Sequence, residues 1–527
     1  MQGKKSSPDS IDTDHLRRLT QIGVALSAEK DIDHLLEKIL TEARVITRAD
    51  GGTLYLMADN ESELEFAFVQ NESLGLNMSA AAGENIWPPV LLTNPDGSPN
   101  HANVSAHAVI TGCLVNIADV YAAQKFNCEG PRVFDQKTGY RSQSMLVVPM
   151  RNHENDIIGV LQLVNATDPE SGRVIPFSPG SEDLALSLAS QAAVSLTNNL
   201  LIGQLENLLD AFIQTIAVAI DEKSPYTGGH VRRVADLTMN IAEKINVSHE
   251  GHFAQIHFSI DELKELRMAA WLHDIGKITT PDHVVDKSTK LEKVYDRIEE
   301  IKTRFEMLKR ECQHTAEDAQ KKADAQALRK AEREIRILDK ECAFLVKLNC
   351  GSETVRDEMA ERIRKIGRRK WRTSMKDLPL LTEDEIYNLS IPSGTLNDEE
   401  REIINNHAAV TQKMLSRLPF PRKLRRIAEY ASAHHEKLDG SGYPSGLRGD
   451  QLPLQSRIIA LADIFEALTA KDRPYKKGHT VGEALNIMEG MVREWHIDPD
   501  LFELFIQEKI YDEYTKTELT ERESNSS

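Results

Sequence analysis

Near residue 200 the chain changes its hydrophobic period, and that switch restricts it to a fold of at least two differently built domains. Upstream, GGTLYLMAD, ELEFAFVQ, SMLVVPMRN and IIGVLQLVNA alternate or run apolar between turn residues, as strands do. Ahead of them, from His15 to about Thr47, Leu35, Leu36, Ile39, Leu40 and Ala43 recur at the spacing of one amphipathic helix. Helices flanking a run of short strands predict an α+β domain with an antiparallel sheet over residues 15–200, after an unstructured 1–14. From 222 to about 510 strand signals nearly vanish and helical periodicity dominates, so an all-α domain is expected there. A chain of 527 residues has ample length for both cores.

Between the halves, Leu201, Leu205, Leu208, Phe212, Thr215 and Ala219 recur at steps of four and three. Residues 201–221 are therefore expected to form a linker helix, which either packs on its own domain or pairs with a second copy in a homodimer. The uncharged run Leu184 to Leu205 is long enough to suggest a membrane span. Its Ser187, Ser190, Gln191, Ser195, Thr197, Asn198 and Asn199 are too many polar groups to bury in lipid. The first residues, MQGKKSSPDS, contain no apolar leader core, and five cysteines without C-x-x-C spacing fit a reducing cytoplasm. With 82 acidic against 64 basic residues, the net charge of −18 argues against DNA or RNA as a partner. It leaves room for a small anion met by local cations or metals. Within the helical half, 19 of the 40 residues 301–340 are charged, 8 of them acidic. That mixture predicts solvated helices in a hairpin rather than a nucleic-acid arm. The tail, 511–527, is expected to be unstructured.

Chemistry concentrates in the helical half. His273 and Asp274 are adjacent in AAWLHDIGKI, and His434 and His435 in SAHHEKLDGSGYP; His230, His407 and Asp463 each lie in or beside apolar helical patterns. Burying such groups is costly, and metal coordination is the usual way to offset the cost. Each residue has a plain reading alone: a hydrogen-bonded core histidine, a buried cap at Asp463, a salt bridge at Lys277. His249, His252 and His257 lie in a polar connection without carboxylate partners and are set aside.

Taken together, H-D-x-G-K (His273, Asp274, Gly276, Lys277) and H-H-E-x-x-D-G-S-G-Y-P (His434, His435, Glu436, Asp439, Gly440, Gly442, Tyr443, Pro444) resemble the HD-GYP phosphodiesterases. TGGHVRR at 227–233, GTLNDEEREIINNH at 394–407 and RPYKK at 473–477 extend the likeness over roughly 222–300 and 390–490. The resemblance implies an all-helical HD domain over 222–510 that holds two or three metals and hydrolyses cyclic di-GMP to pGpG, GMP or both. It implies one metal at His230, His273, Asp274 and Asp463, with Asp274 shared with a second at His407, His434 and His435. Five imidazoles and two carboxylates without a thiolate suit iron or manganese; nickel, cobalt or zinc are alternatives. Two such ions can activate water and clamp phosphate oxygens. Lys277 is then catalytic beside Asp274, offsetting charge on the phosphoryl group. Arg473 and Lys476 are expected to join Lys277 in gripping substrate phosphates. Gly442, Tyr443 and Pro444 form the GYP surface, where partners of the diguanylate-cyclase type would dock. Tyr226 stands where the three-metal branch carries glutamate, so two divalent ions are expected. A helical insertion at about 305–393 departs from the family pattern. Another cyclic dinucleotide such as cyclic GMP-AMP is the alternative substrate; the intact GYP segment argues against iron-dependent oxygenation, and the complete ligand set with Lys277 against a degenerate effector without turnover.

FDQKTGYRSQSMLVVPMRN followed by IIGVLQLVNA resembles a GAF sensor domain, its cyclic-nucleotide-binding branch in particular. That branch has an Asn-Lys pair, then Phe followed four residues later by Asp-Glu. Here Asn165 precedes Ala166, and Phe177 precedes Ser181-Glu182, so the motif is partly kept. A GAF ligand of unknown identity is expected, a cyclic nucleotide being one candidate. Nothing around Cys113 or Cys128 supports a chromophore or haem.

Overall fold

A computed structural model describes residues 8–80, 88–223, 229–372, 376–470, 478–512 and 514–516. It divides into two compact units, 1–208 and 209–527.

In the first unit, helices α1 (Pro8–Ser27) and α2 (Ile32–Thr47) precede strands β1 (Ala49–Met57), β2 (Glu63–Asn71), β3 (Leu76–Ser79) and β4 (Val90–Leu91). Then come α3 (Val104–Thr111), β5 (Val115–Ile117), α4 (Glu129–Thr138), β6 (Met145–Arg151), β7 (Ile157–Thr167), β8 (Val174–Ile175) and α5 (Pro179–Asp221). The sheet order is β3-β2-β1-β7-β6-β5, with β4 on β2, β8 on β7 and every pairing antiparallel. Both faces are covered. Leu146 and Val148 of β6 join the core under α2 and α5, whereas Met145 and Val147 join the opposite core with Val104 and Ala108 of α3. That double burial explains why β6 reads as an unbroken apolar run.

Two expectations about the first helices need correction. The chain is already helical from Pro8, so the unstructured segment does not extend to residue 14. The single helix from His15 to Thr47 is two, because Asp31 caps a new start by accepting from His34 N at 2.9 Å. The linker segment 201–221 is helical and forms the second half of one 43-residue helix, α5. The stretch that suggested a membrane span lies in α5 and buries Ala185, Leu188, Ala189, Ala192, Ala193 and Leu196 in the sheet core. Among the described residues, no helix is long and apolar enough to cross a membrane.

The second unit contains α6 (His230–Val247), α7 (Ile260–Leu272), a 3-10 turn at Ile275–Thr279 and α8 (Asp282–Val285). Next are α9 (Ile298–Lys321), α10 (Ala325–Asn349), α11 (Asp357–Gly367), β9 (Lys370–Arg372), β10 (Asp377–Pro379) and α12 (Glu383–Leu389). It closes with α13 (Asp398–Leu415), α14 (Ile427–Ser432), α15 (Leu454–Thr469), α16 (Val481–Arg493) and α17 (Pro499–Gln507). One core gathers Leu237 and Ile241 of α6, Leu266 of α7, Ile459 and Phe465 of α15 and Phe505 of α17. Ile213 and Ile220, from the end of α5, belong to this core too.

A second core, sharing no member with the first, unites Leu291, Ile298, Ile301, Phe305, Leu338, Leu345, Ile363, Leu380 and Leu389. The insertion therefore begins before residue 305 and is more than a helical hairpin, since β9 and β10 pair within it. Its two ends return to one place. Thr395 Oγ1 donates to Lys287 O at 3.0 Å, and the Lys287 ammonium meets Glu400 at 2.6 Å.

Candidate metal centre

Five helical elements of the core, α6, α7, α13, α14 and α15, each bring one or two polar side chains to a single buried point. α7 starts on a reciprocal cap between Ser259 and Glu262 and ends at Leu272, leaving His273 and Asp274 at its C-terminal edge. The chain then turns against α13 so closely that a Cβ on Gly276 would sit 2.0 Å from His407 O. Thr411 Oγ1 locks this crossing, donating to His273 O at 3.1 Å and accepting from Gly276 N at 3.0 Å. His407 lies on α13, His434 and His435 follow α14, Asp463 lies on α15, and His230 opens α6.

Asp274 is the hub. Its Oδ2 faces His273 Nε2 at 3.4 Å and His230 Nε2 at 3.6 Å; its Oδ1 faces His407 Nε2 at 3.3 Å and His434 Nε2 at 3.9 Å. Asp463 Oδ1 lies 3.4 Å from His230 Nε2. Ligand atoms of His230, His273 and Asp463 all lie within 4.8 Å of one another, as do those of His407, His434 and His435. The structure thus brings together all seven side chains named from the sequence, in the two expected groups with Asp274 between them.

The donor set fits metal ions. His273, His407 and His434 spend their Nδ1 atoms on the carbonyls of Ala270, Ile404 and Ala431 at 2.5–2.7 Å. Their Nε2 atoms, and Asp274 Oδ1, are buried without a hydrogen-bond partner. Orphaned buried acceptors converging on one point are costly unless a cation is their partner. Burial, aided by the neighbouring His435 and His273 rings, pushes His434 well below the usual imidazole range, and burial pushes His435 down to about 3. Both rings are therefore neutral donors. Burial also disfavours charge on His230, but Glu466, Asp274 and Asp463 outweigh it and raise that ring well above the usual range. Burial would raise Asp274, yet Lys277 and His273 hold it ionised, well below the usual carboxylate range. His273 and His434 are sealed, whereas Asp463 and Lys277 retain partial exposure and mark the open side. Lys277 Nζ meets Asp274 Oδ2 there.

The GYP segment is built around Glu436, buried one residue after His435. Its carboxylate accepts from Ser445 N, Gly446 N and Leu447 N at 2.6–3.1 Å, folding the loop back on the histidine pair. At Gly442 a Cβ would lie 2.4–2.6 Å from three backbone atoms of residues 435–437, so no side chain fits. Tyr443 places its ring 4.9 Å from that of His435. Arg473 and Lys476, the expected phosphate clamp, and Tyr226, which bears on a third metal, lie outside the described residues.

Sequence reading missed Glu466 and Arg233. Glu466, three residues after Asp463 on α15, accepts from His230 Nδ1 at 2.5 Å and pairs with Arg233 at 2.6 Å. The available signal was an acidic residue inside the apolar run IFEAL, a position where an unpaired charge is costly. In the first unit, the partly kept nucleotide motif is occupied internally. Asn165 accepts from Gln143 N at 2.7 Å and donates to Tyr140 Oη and Arg141 O at 2.8 Å, while Phe177 is buried in the core.

Comparison with known proteins agrees with this division. Residues 31–196 match the GAF domain, and 227–346 and 335–501 each match a model of the HD domain. Over 110 residues the chain is 46% identical to 3'3'-cGAMP-specific phosphodiesterase 3 of Vibrio cholerae, covering 21% of this chain and 23% of that protein. Over 134 residues it is 36% identical to a cyclic di-GMP phosphodiesterase of Thermotoga maritima, covering 25% and 35%. The matched stretch thus spans only about a quarter to a third of those curated relatives. A solved GAF domain from an Acinetobacter phosphoenolpyruvate-protein phosphotransferase aligns at 15% identity and a TM-score of 0.27, covering 36% of this chain and 97% of that one.

Proposed function

Since this chain is a GAF domain followed by an HD domain, we propose that it is a metal-dependent phosphodiesterase hydrolysing cyclic di-GMP to pGpG, GMP or both, under the control of its GAF domain. The observation that carries the reading is the convergence of buried Nε2 atoms on the two oxygens of Asp274. Two divalent ions, iron or manganese first, would supply Lewis acidity and an activated water for in-line attack at phosphorus.

The chain's own residues do the rest. His230, His273 and Asp463 would hold one ion, His407, His434 and His435 the other, and Asp274 both. Lys277, at the rim, would stabilise charge developing on the non-bridging phosphate oxygens. Arg473 and Lys476 would hold the other phosphate of the dinucleotide. Tyr443, partly exposed and beside His435, and the exposed Pro444 would offer the surface for a partner of the diguanylate-cyclase type.

A second substrate, 3'3'-cyclic GMP-AMP, is favoured by the higher identity to the Vibrio cholerae enzyme over a similar length of chain. Anaerobic purification, metal analysis and kcat/KM on both dinucleotides test the proposal. Faster turnover of cyclic GMP-AMP would select the second substrate, and metal-loaded protein inert on both would sink the enzymatic reading.

A further inference from the structure

The histidines of the centre are not oriented alike. For His273, His407 and His434 the acceptor at Nδ1 is the carbonyl three residues earlier on the same chain segment, supplied by the preceding helical turn. His230 is the first residue of α6, so it has no preceding turn in its own helix to supply that carbonyl. A side chain from another helix takes the place. Glu466 of α15 accepts from His230 Nδ1 at 2.5 Å, and its second oxygen accepts from Arg233 Nε at 2.7 Å. The contacts close a square. His230 and Arg233 lie three apart on one face of α6, Asp463 and Glu466 three apart on one face of α15. Asp463 faces Nε2 of the ring and Glu466 faces Nδ1. Glu466 is 1% exposed and Arg233 7%, so solvent cannot replace either partner.

From this asymmetry we infer that Glu466, held by Arg233, is the positioning residue for one metal position only, that of His230, His273 and Asp463. A carboxylate at Nδ1 fixes the tautomer that presents Nε2 inward and makes that nitrogen a better donor. The opposite position depends on backbone carbonyls for His407 and His434, which no single side-chain change removes. The two positions are therefore separately adjustable although Asp274 is common to both.

The inference rests on the metal-centre part of the proposed function and not on its substrate, so its test needs no dinucleotide. Apo protein is titrated with Mn2+ under argon, by calorimetry and by metal analysis after dialysis, for wild type, Glu466→Gln and Arg233→Lys. The expected result in Glu466→Gln is about 10- to 100-fold weaker binding at one of two sites, with the other unchanged. Arg233→Lys keeps the charge but loses the planar fork, and should weaken the same site by less. Equal weakening of both sites, or none, overturns the inference. Circular dichroism checks the fold; if Glu466→Gln does not fold, Arg233→Lys decides by the same criterion. Wild-type protein that binds a single ion would overturn the two-position reading itself, whatever its activity.

Discussion

At the scale of the residue, Asp274 and Lys277 are three positions apart and touch, yet their substitution should be separable. Asp274→Ala removes a group whose two oxygens face both histidine sets, so metal and activity are expected to disappear together. Lys277→Ala should keep most of the metal and lose roughly 10²- to 10³-fold in rate, the scale of one electrostatic stabiliser. Elemental analysis beside the rate assay separates them; fully loaded Asp274→Ala protein would contradict the assignment. Away from the centre, Lys290 is fully buried, with Nζ donating to Ile391 O at 2.7 Å, and burial lowers its pKa to about 8. An unfolded lysine titrates near 10.4. Below pH 8 both states hold the proton and the burial cost is fully present. Between about pH 8 and 10.4 the unfolded chain binds more protons, so stability contributed at this site rises with pH, by at most about 1.4 kcal/mol per unit. Denaturant unfolding of wild type and Lys290→Met across this window should give a difference that changes with pH; a constant difference would show that the site does not titrate there.

At the scale of the element, α5 carries two kinds of apolar residue. Ile213, Ala217 and Ile220 are buried, whereas Leu201, Leu205, Leu208 and Phe212 are 44–65% exposed at heptad-like spacing. If that stripe pairs with a second copy, Leu205→Glu with Leu208→Glu should yield monomer in sedimentation without loss of secondary structure. The last residue of α5, Asp221, accepts from Val231 N at 3.0 Å, one residue beyond His230. Inserting one residue near Asp210 would turn the downstream part by about 100°, and inserting seven nearly restores the phase. The single insertion should therefore damage GAF control more than the sevenfold one; equally regulated activity in both would mark the helix as a passive tether. The elements also show where sequence reading stops. The adjacent histidines were legible because such polar groups are costly beside apolar helices, and the GYP run through its resemblance to a known motif. The continuity of α5 was not, since the change of hydrophobic pattern near 200, with Gly203 beside it, reads as a boundary although the helix runs straight through. The break before α2 depends on Asp31 acting as a cap, a choice of hydrogen bond that hydrophobic spacing does not encode. Glu466 escaped notice because its partners, His230 and Arg233, are more than two hundred residues away in sequence.

At the scale of the whole molecule, the boundary that matters for truncation is set by side chains rather than by motifs. A fragment beginning at 222 would contain every ligand residue yet lack Ile213 and Ile220, each worth about 1.5–3 kcal/mol when fully buried. A fragment beginning at Leu209 keeps them. The longer fragment should melt several degrees higher and retain more metal, and equal melting temperatures would show that the end of α5 adds nothing to this core. The insertion has a different consequence, which concerns the search the unfolded chain must make. His273 and His407 are more than a hundred residues apart, and the entropy lost on closing such a loop grows with the logarithm of its length. If this segment collapses first around Phe305 and Leu345, bringing Lys287 beside Thr395, a loop of only about thirty residues is left to close. That shortening lowers the closure cost by about 1 kcal/mol, so a stretch that looks like an obstacle between two halves of a motif would hasten their meeting.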